Sequence, residues 1–170
     1  MEGAVQLLVV TFMGADRPGI VDRLAALVRE HGGNWETSRM ANLAGHFAGV
    51  LLVAVPPESG EALREALMAV KGLVVTVEEG TYQPVDPEEL WRLELTGQDR
   101  PGIVQQISAA LVGERANIVD LQSETEEAAM AGGVLFRCVA HIHLDEARLD
   151  GLAGKLEAIA NDLVVEIELA

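Results

Sequence analysis

The chain contains the hexapeptide Asp-Arg-Pro-Gly-Ile-Val twice, at residues 16–21 and again at residues 99–104. The two copies lie 83 residues apart in a chain of 170 residues, so their spacing is close to half of its length. A repeat at half-length indicates two copies of one structural unit, and it restricts the fold to a unit that about 80 residues can build. Any function is then expected in the features that the two copies share.

The similarity between the halves extends beyond the hexapeptide. At the same offset, Gly14 corresponds to Gly97, and Asn34 corresponds to Asn117. Farther along, the segment Gly49-Val50-Leu51 aligns with Gly133-Val134-Leu135, an offset of 84 residues. This alignment predicts a turn that is one residue longer in the second copy.

The hydrophobic periodicity predicts the same order of elements in both copies. Alternating or continuous apolar runs predict strands at 5–12, 46–55 and 73–79, and again at about 91–96, 133–144 and 163–169. The strands at about 34–43 and 117–126 are expected as the first members of a pair that follows each first helix. Turns of small residues are expected at Ala44-Gly45 and around Ala131-Gly132-Gly133. Apolar residues at helical spacing predict one helix after each hexapeptide, with the core residues Ile20, Leu24, Leu27 and Val28 or Ile103, Ile107, Ala110 and Leu111. They predict a second helix in each copy, with the core residues Leu63, Ala66, Leu67 and Val70 or Leu149, Leu152, Leu156 and Ile159.

The order βαββαβ, found twice, predicts an α+β fold of two ferredoxin-like domains in tandem, with antiparallel sheets that carry their helices on one face. The first domain is expected at residues 1–80 and the second at residues 90–170. Residues 81–89 contain Pro84, Pro87 and three acidic residues, which is typical of a linker.

The hexapeptide is expected to form a turn from the first strand into the first helix. Asp16 or Arg17 would take the N-cap region, and Pro18 would fit the first helical position. Gly19 would then lie inside the helix, at a cost of about 1 kcal/mol relative to alanine. That cost suits a place where a ligand approaches the backbone, and Gly14 would leave a second open space. Helix-terminal N–H groups there could meet a carboxylate.

A purely structural interpretation stands beside this ligand interpretation. Glycine and proline are common in tight strand-to-helix turns for backbone reasons alone, and duplication copies structural features together with functional ones. Asn34 and Asn117 follow the first helix of each copy, where an amide can either cap the helix end or bind the polar groups of a ligand. The sequence leaves both pairs of alternatives open.

Charge and composition exclude several classes of function. The net charge is −15, with −4 in residues 1–83 and −11 in residues 84–170, and the only lysines are Lys71 and Lys155. Direct nucleic-acid binding, which depends on basic residues that neutralise phosphates, is therefore not expected. No apolar run approaches the roughly 20 residues of a membrane span, so no membrane association is predicted. The start of the chain lacks the features of a signal peptide.

The cysteine and histidine residues predict neither a disulfide nor a metal site. One cysteine, Cys138, excludes an internal disulfide and indicates a cytoplasmic protein. His141 and His143 share one face of a strand, but no third ligand follows at a suitable spacing. No nucleotide, dinucleotide or zinc motif is present, so no cofactor and no catalytic residue are predicted.

The pattern Asp-Arg-Pro-Gly-Ile, then an amphipathic helix, then Asn34 or Asn117 at the start of a strand, resembles the ACT domain family. ACT domains are small ferredoxin-like regulatory modules that commonly bind amino acids. The resemblance covers nearly the whole chain, once in each half. A tandem pair of this size most closely resembles the glycine cleavage system transcriptional repressor family, in which two ACT copies occur without a catalytic or DNA-binding domain.

The resemblance implies ligand sites that lie between paired modules, near the first strand-to-helix turn and the following helix–strand junction. Carried over to this sequence, it implies two sets of ligand-binding residues: Gly14, Ala15, Asp16, Gly19, Ile20 and Asn34 in the first copy, and Gly97, Gln98, Asp99, Gly102, Ile103 and Asn117 in the second. The copies differ at Ala15 against Gln98 and at Trp35 against Ile118. Two equivalent pockets are therefore not assured.

The resemblance implies a non-enzymatic regulatory sensor that binds a small amino acid, with glycine as the first candidate, and acts through a regulatory protein partner such as a DNA-binding activator. Homo-oligomers are also implied, because ACT sheets and helices often pair. Two alternatives stay open at this point. One is a protein-interaction module that binds no small molecule, with the acidic second half as its docking surface. The other is a detached regulatory subunit of an enzyme of amino-acid metabolism.

Overall fold

The computed structural model describes residues 4–81, 90–127, 133–159 and 163–170. The chain divides into two compact units, Met1–Gln83 (unit 1) and Pro84–Ala170 (unit 2). Unit 1 contains β1 (Gln6–Ala15), α1 (Ile20–Glu30), β2 (Asn34–Leu43), β3 (His46–Val55), α2 (Gly60–Met68) and β4 (Leu73–Glu79). Unit 2 contains β5 (Leu90–Gln98), α3 (Ile103–Gly113), β6 (Asn117–Glu127), β7 (Val134–His143), α4 (Leu149–Glu157) and β8 (Val164–Leu169).

The predicted domain limits stay a prediction. Of the expected linker at 81–89, all residues after Thr81 lie outside the described residues.

Each unit forms one four-stranded antiparallel sheet. The strand order is β2-β3-β1-β4 in unit 1 and β6-β7-β5-β8 in unit 2. With one helix after the first strand and one after the third, each unit has the βαββαβ order of the split βαβ arrangement. The predicted α+β fold of two ferredoxin-like units is therefore confirmed.

One face of each sheet is buried under the two helices of its unit. In unit 1 the alternate residues Leu8, Val10 and Phe12 of β1 are buried. They share a core with the apolar face of α1, namely Ile20, Leu24, Leu27 and Val28. The corresponding core of unit 2 includes Leu93, Leu95, Ile103, Ile107, Ala110 and Leu111. Burial of one such large side chain contributes about 1.5–3 kcal/mol. The apolar spacing of the sequence thus predicted the facing of the helices correctly.

The register of the central hairpins corrects the sequence alignment. Phe12 lies opposite Gly49 in unit 1, whereas its counterpart Leu95 lies opposite Cys138 in unit 2. Gly49 therefore corresponds to Cys138, an offset of 89 residues, and its alignment with Gly133 is wrong. The alignment followed a short Gly-Val-Leu match instead of the strand pairing.

The corrected register shows that the second hairpin is longer by six residues. β2 and β3 are joined by Ala44-Gly45 as predicted, and both of these residues have positive φ angles of 50° and 81°. Such angles are typical of a tight hairpin turn. Residues 128–133 separate β6 from β7, and the pair Glu127–Val134 extends the ladder at this end. The predicted turn residues Ala131 and Gly132 lie outside the described residues.

The ends of the helices differ from prediction in small ways. α2 ends at Met68 and α4 at Glu157, so Val70 and Ile159 lie beyond the helices, although both pack against their cores. Gly32 stops α1 with a left-handed φ of 71°. In unit 2 the corresponding residue is Arg115, which adopts a φ of 60°. This backbone conformation is uncommon for a residue other than glycine.

Candidate functional site

The strand-to-helix turn is built differently from the prediction. α1 begins at Ile20 and α3 at Ile103, and the N-cap residues are Gly19 and Gly102 with φ angles of 91° and 87°. Pro18 and Gly19 therefore precede the helix, and neither Asp16 nor Arg17 is its N-cap residue. The prediction that Gly19 lies inside the helix is wrong, because a left-handed backbone cannot continue a right-handed helix.

Glycine is needed at Gly19 and at Gly14 for different physical reasons. A Cβ atom built at Gly19 or Gly102 would meet no atom within 4 Å, so their left-handed backbone requires glycine and the space beside them is open. A Cβ atom at Gly14 would lie 2.3 Å from the backbone oxygen of Gly72. The chain that enters β4 therefore fills the space that the sequence suggested was open at Gly14. Its counterpart Gly97 is buried in β5.

The arginine of the hexapeptide connects the strand-to-helix turn with the segment after the second helix of its unit, a contact that the sequence did not predict. Arg17 donates a hydrogen bond from its guanidinium to the backbone oxygen of Lys71, just before β4. Arg100 donates an equivalent bond of 2.9 Å to the backbone oxygen of Ile159, just after α4. The identity of the arginine in both copies was a signal that could have indicated this role.

The other residues of the hexapeptide also make structural contacts. The N–H of Asp16 donates to the backbone oxygen of Gly45 at 2.9 Å, and the N–H of Asp99 donates to that of Val134 at 2.8 Å. Ile20 and Ile103 are buried in the two cores. The hexapeptide thus has a structural reason at most of its positions, which supports the structural interpretation without excluding a ligand.

The carboxylate of Asp16 differs in its surroundings from that of Asp99. The side-chain amide of Asn42 donates to the Asp16 carboxylate at 2.5 Å. Asn42 lies opposite Phe47 on β3, and the residue opposite the corresponding Phe136 on β7 is Thr125. Unit 2 therefore carries no asparagine at this place, and the two turns present different polar groups.

The amino-terminal ends of α1 and α3 have no side-chain cap. Neither N-cap glycine provides a capping side chain. In α3 the N–H of Ile103 donates to the backbone oxygen of Arg100 at 3.2 Å, and the N–H groups of the next two residues keep their partial positive charge for another acceptor. The first turn of α1 contains the acidic residue Asp22, whereas the first turn of α3 contains no acidic residue. The end of α3 is the more favourable of the two for a carboxylate.

The two asparagines lie far from the turns of their own units. Asn34 of β2 lies opposite Ala54 of β3, and Ala54 lies opposite Leu7 of β1. Gly14 lies seven residues farther along β1. At about 3.3 Å per residue, this separation is about 23 Å. In unit 2, Asn117 lies opposite His143, and His143 lies opposite Leu90, which is again seven residues from Gly97. Within one unit, the structure therefore does not bring the predicted asparagine to the predicted turn.

The asparagine of unit 1 does not close the end of α1 either. Its side-chain amide donates to the carboxylate of Glu36 at 2.8 Å. The backbone N–H of Gly33 instead donates to the backbone oxygen of Val28 at 2.9 Å, which ends the helix. Ala15 and Gln98 are exposed last residues of β1 and β5, beside the turns. All twelve predicted ligand-binding residues stay predictions.

His141 lies on a charged face of the unit 2 sheet. Nδ1 of His141 lies 3.9 Å from Oδ2 of Asp120. Arg92 donates to Glu94 at 2.6 Å and to Glu168 at 2.9 Å, and these bonds raise the pKa of its guanidinium. Across the described residues, no three His, Cys, Asp or Glu side chains gather in a way that would hold a metal ion.

Cys138 is a buried free thiol on the core side of β7, and desolvation raises its pKa. A thiol with a raised pKa is a poor nucleophile at neutral pH. None of the described helices has the length and apolar character that a membrane crossing requires.

Comparison with known proteins identifies the family. A family model described as the ACT domain matches residues 6–77. The chain is 31% identical over 127 residues to the glycine cleavage system transcriptional repressor of Escherichia coli (strain K12), and equally to that of Shigella flexneri. These alignments cover 71% of this chain and 66% of each relative, slightly less than two thirds of the relatives' own length.

Two solved structures match over nearly the whole chain. The crystal structure of an unknown protein from Galdieria sulphuraria matches with a TM-score of 0.87 and 30% identity, over 98% of this chain and 99% of that one. A candidate glycine cleavage system transcriptional repressor matches with a TM-score of 0.70 and 18% identity, over 99% and 100% of the two chains, and this likeness shows the fold. The chain therefore belongs to the ACT domain family, is built as two ferredoxin-like units in tandem, and is related to the glycine cleavage system transcriptional repressors.

Proposed function

We propose that this protein is a non-enzymatic sensor that binds a small amino acid and modulates a regulatory protein partner. The observation that carries the proposal is the uncapped helix end beside an open, left-handed glycine, which occurs in both units. Such an end offers backbone N–H groups and a favourable dipole to a carboxylate, which every free amino acid carries. Membership of the ACT family supports an amino acid as the ligand.

Glycine is the first ligand to test, and a transcriptional regulator of amino-acid metabolism is the first partner to test. Both follow from the names of the Escherichia coli and Shigella flexneri relatives, which connect them with transcriptional repression of the glycine cleavage system. The net charge of −15 argues that such a regulator, and not this chain, contacts the DNA. We place the protein in the cytoplasm, because its one cysteine is a free thiol.

Unit 2 is the better binding unit in this proposal. The first turn of α1 contains Asp22, whose negative charge competes with a ligand carboxylate for the same helix dipole. In α3 the corresponding residue is Gln105, which is neutral. Gln98 adds a side-chain amide at the end of β5, where unit 1 has Ala15.

Isothermal titration calorimetry against the twenty amino acids tests the proposal. We expect saturable heat with at least one small amino acid, weakened when Gln105→Asp introduces the charge of Asp22 into unit 2. Gln105→Asn is the matched control and should leave the binding unchanged. The absence of heat with all twenty amino acids, together with no thermal stabilisation, would refute amino-acid sensing.

A ligand-free interaction module is the second candidate function. It is favoured by the structural contacts that Arg17, Arg100, Ile20 and Ile103 make, because they explain the repeated hexapeptide without a ligand. In that case a partner would bind the purified protein with an affinity that no amino acid changes. Titration of the labelled regulator in the presence and absence of saturating glycine distinguishes the two functions.

A further inference from the structure

An open groove lies between α4 and the edge strand β8 of unit 2. It has a volume of about 330 Å³, and it is lined by Leu149, Asp150, Ala153, Glu157, Val165 and Ile167. Four of its lining residues are apolar, and the other two, Asp150 and Glu157, are both acidic. This volume is at the lower end of the roughly 300–1,000 Å³ of small-ligand sites, which suits a single long side chain.

In unit 1 an arginine lies at the position that corresponds to this groove. The fully buried Leu63 and Leu67 of α2 correspond to Leu152 and Leu156 of α4, so Arg64 corresponds to Ala153. Arg64 donates a hydrogen bond from Nη1 to the backbone oxygen of Val77 on the edge strand β4. Its Nε lies 3.4 Å from Oε2 of Glu61. An arginine of unit 1 itself thus bridges α2 and the edge strand β4 at this place.

The acceptors of this arginine are retained in unit 2, although the arginine is not. Glu61 corresponds to Asp150, so a carboxylate stays at the same position of the helix. Met68 corresponds to Glu157, which adds a second acid. The replacement of Arg64 by Ala153 removes this cation. The six described residues that line the groove of unit 2 therefore include two acids and no base.

The backbone acceptor is also retained. Val77 lies opposite Val10, and Ile167 lies opposite the corresponding Leu93. The bonds from Gly80 N–H to the Leu7 oxygen and from Ala170 N–H to the Leu90 oxygen mark hydrogen-bonded pairs three residues away. Because hydrogen-bonded and non-hydrogen-bonded pairs alternate in an antiparallel ladder, the backbone oxygen of Ile167 points outward from the sheet, like that of Val77.

We infer that this groove is a docking site for an arginine side chain of a partner protein. The aliphatic part of the arginine would cover Val165 and Ile167, and the guanidinium would donate to Asp150, Glu157 and the Ile167 oxygen. Arginine fits better than lysine, because its planar fork can bond a carboxylate and a carbonyl together. The formal charge of −11 in residues 84–170 would attract a basic segment.

The inference rests on the protein-partner part of the proposed function, and it does not depend on amino-acid binding. The test is an NMR titration of the full-length ¹⁵N-labelled chain with acetyl-Gly-Arg-Gly-amide. This capped peptide carries no free α-amino or α-carboxylate group, so it does not probe an amino-acid site. The control peptide contains citrulline, which has nearly the same shape as arginine but no charge.

We expect saturable shifts of the Ala153, Val165 and Ile167 amide signals with the arginine peptide, and binding at least about tenfold weaker with the citrulline peptide. Ala153→Arg should fill the groove as Arg64 does in unit 1 and abolish these shifts. Ala109→Arg, an exposed position on α3, is the matched control and should retain them. The double variant Asp150→Asn, Glu157→Gln should weaken binding by about tenfold while the fold stays intact.

Equal shifts with both peptides, shifts that survive Ala153→Arg, or no shifts at millimolar peptide would overturn the inference. Free L-arginine that binds much more tightly than the capped peptide would overturn it in favour of a small-molecule site. A failure of amino-acid sensing would appear in the calorimetry instead and would leave this titration unchanged.

Discussion

Replacement of Gly19 by alanine measures the free-energy cost of the left-handed backbone at this position. Gly19 has a φ of 91°, and an added Cβ atom would meet nothing within 4 Å. The cost is therefore the left-handed conformation alone, about 1–2 kcal/mol for a residue with a side chain. Crowding contributes nothing, in contrast to Gly14. We expect Gly19→Ala to lower the free energy of unfolding of unit 1 by about 1–2 kcal/mol.

The two tryptophans allow each unit to be followed separately in the intact chain. Trp35 lies in β2 of unit 1, and Trp91 lies in β5 of unit 2. Urea unfolding followed by fluorescence in a Trp91→Phe background therefore reports unit 1. If the same variants are unfolded by heat instead of urea, a loss of about 1 kcal/mol in a unit of this size corresponds to a decrease of about 4–8 °C in the midpoint temperature. Gly102→Ala, read from Trp91 in a Trp35→Phe background, should cause the same loss because its φ is 87°.

Gly19→Asn is the control that isolates the backbone angle. Asparagine tolerates the left-handed region better than alanine. Gly19→Asn should therefore lower the free energy of unfolding by less than Gly19→Ala, although its side chain is larger. Equal losses for both variants would refute the reasoning, and so would a loss above about 4 kcal/mol, which only crowding or a missing core contact produces. If Gly19→Ala also removes amino-acid binding at full retention of fold, the open space beside it is part of the ligand site.

Three further perturbations follow from the same geometry. Gly14→Ala should destabilise unit 1 by about 3 kcal/mol or more in the Trp35 assay, because the methyl group would collide with the backbone at Gly72. Arg115→Gly should stabilise unit 2 by about 0.5–1 kcal/mol in urea unfolding, because it relieves a φ of 60°. Burial raises the pKa of Cys138, so the folded thiol keeps its proton after the unfolded thiol, with a pKa of about 8.5, has lost it. Stability should therefore fall as the pH rises above about 8.5, and by less in Cys138→Ala, as pH-dependent unfolding would show.

The sequence predicted the features that depend on local periodicity. Leu24 and Val28 on one face of a helix, or Leu8 and Val10 on one face of a strand, are recognisable from their spacing alone. The core, the element order and the fold followed from such patterns. The left-handed Gly32 was also predictable, because its role depends only on the local chain.

The features that depend on register were not predictable in this way. Asn34 follows the turn by only one helix in the sequence, but α1 carries the chain back along the sheet by about 1.5 Å per residue, to the opposite end of β1. The match of Gly49 with Gly133 failed for a similar reason, because only strand pairing fixes which residues correspond across a hairpin of different length. The role of Arg17 needed the position of Lys71, which no local pattern contains.

Arg100 connects the two surfaces that we propose for unit 2. Its guanidinium donates to the backbone oxygen of Ile159 at 2.9 Å, directly after the helix that carries Ala153 and Glu157. A ligand carboxylate at the start of α3 would attract the same guanidinium and compete for that bond, so occupancy of the turn would change how the end of α4 is held.

Linkage then requires that the amino acid and the arginine peptide change each other's affinity by one common factor, and regulatory couplings are typically about 5–150-fold. Arg100→Ala should abolish this factor while the peptide still binds, since the groove itself contains no part of Arg100. Calorimetric titration of each ligand in the presence and absence of the other measures the factor in both directions. A coupling that survives Arg100→Ala would show that the two surfaces communicate through other residues.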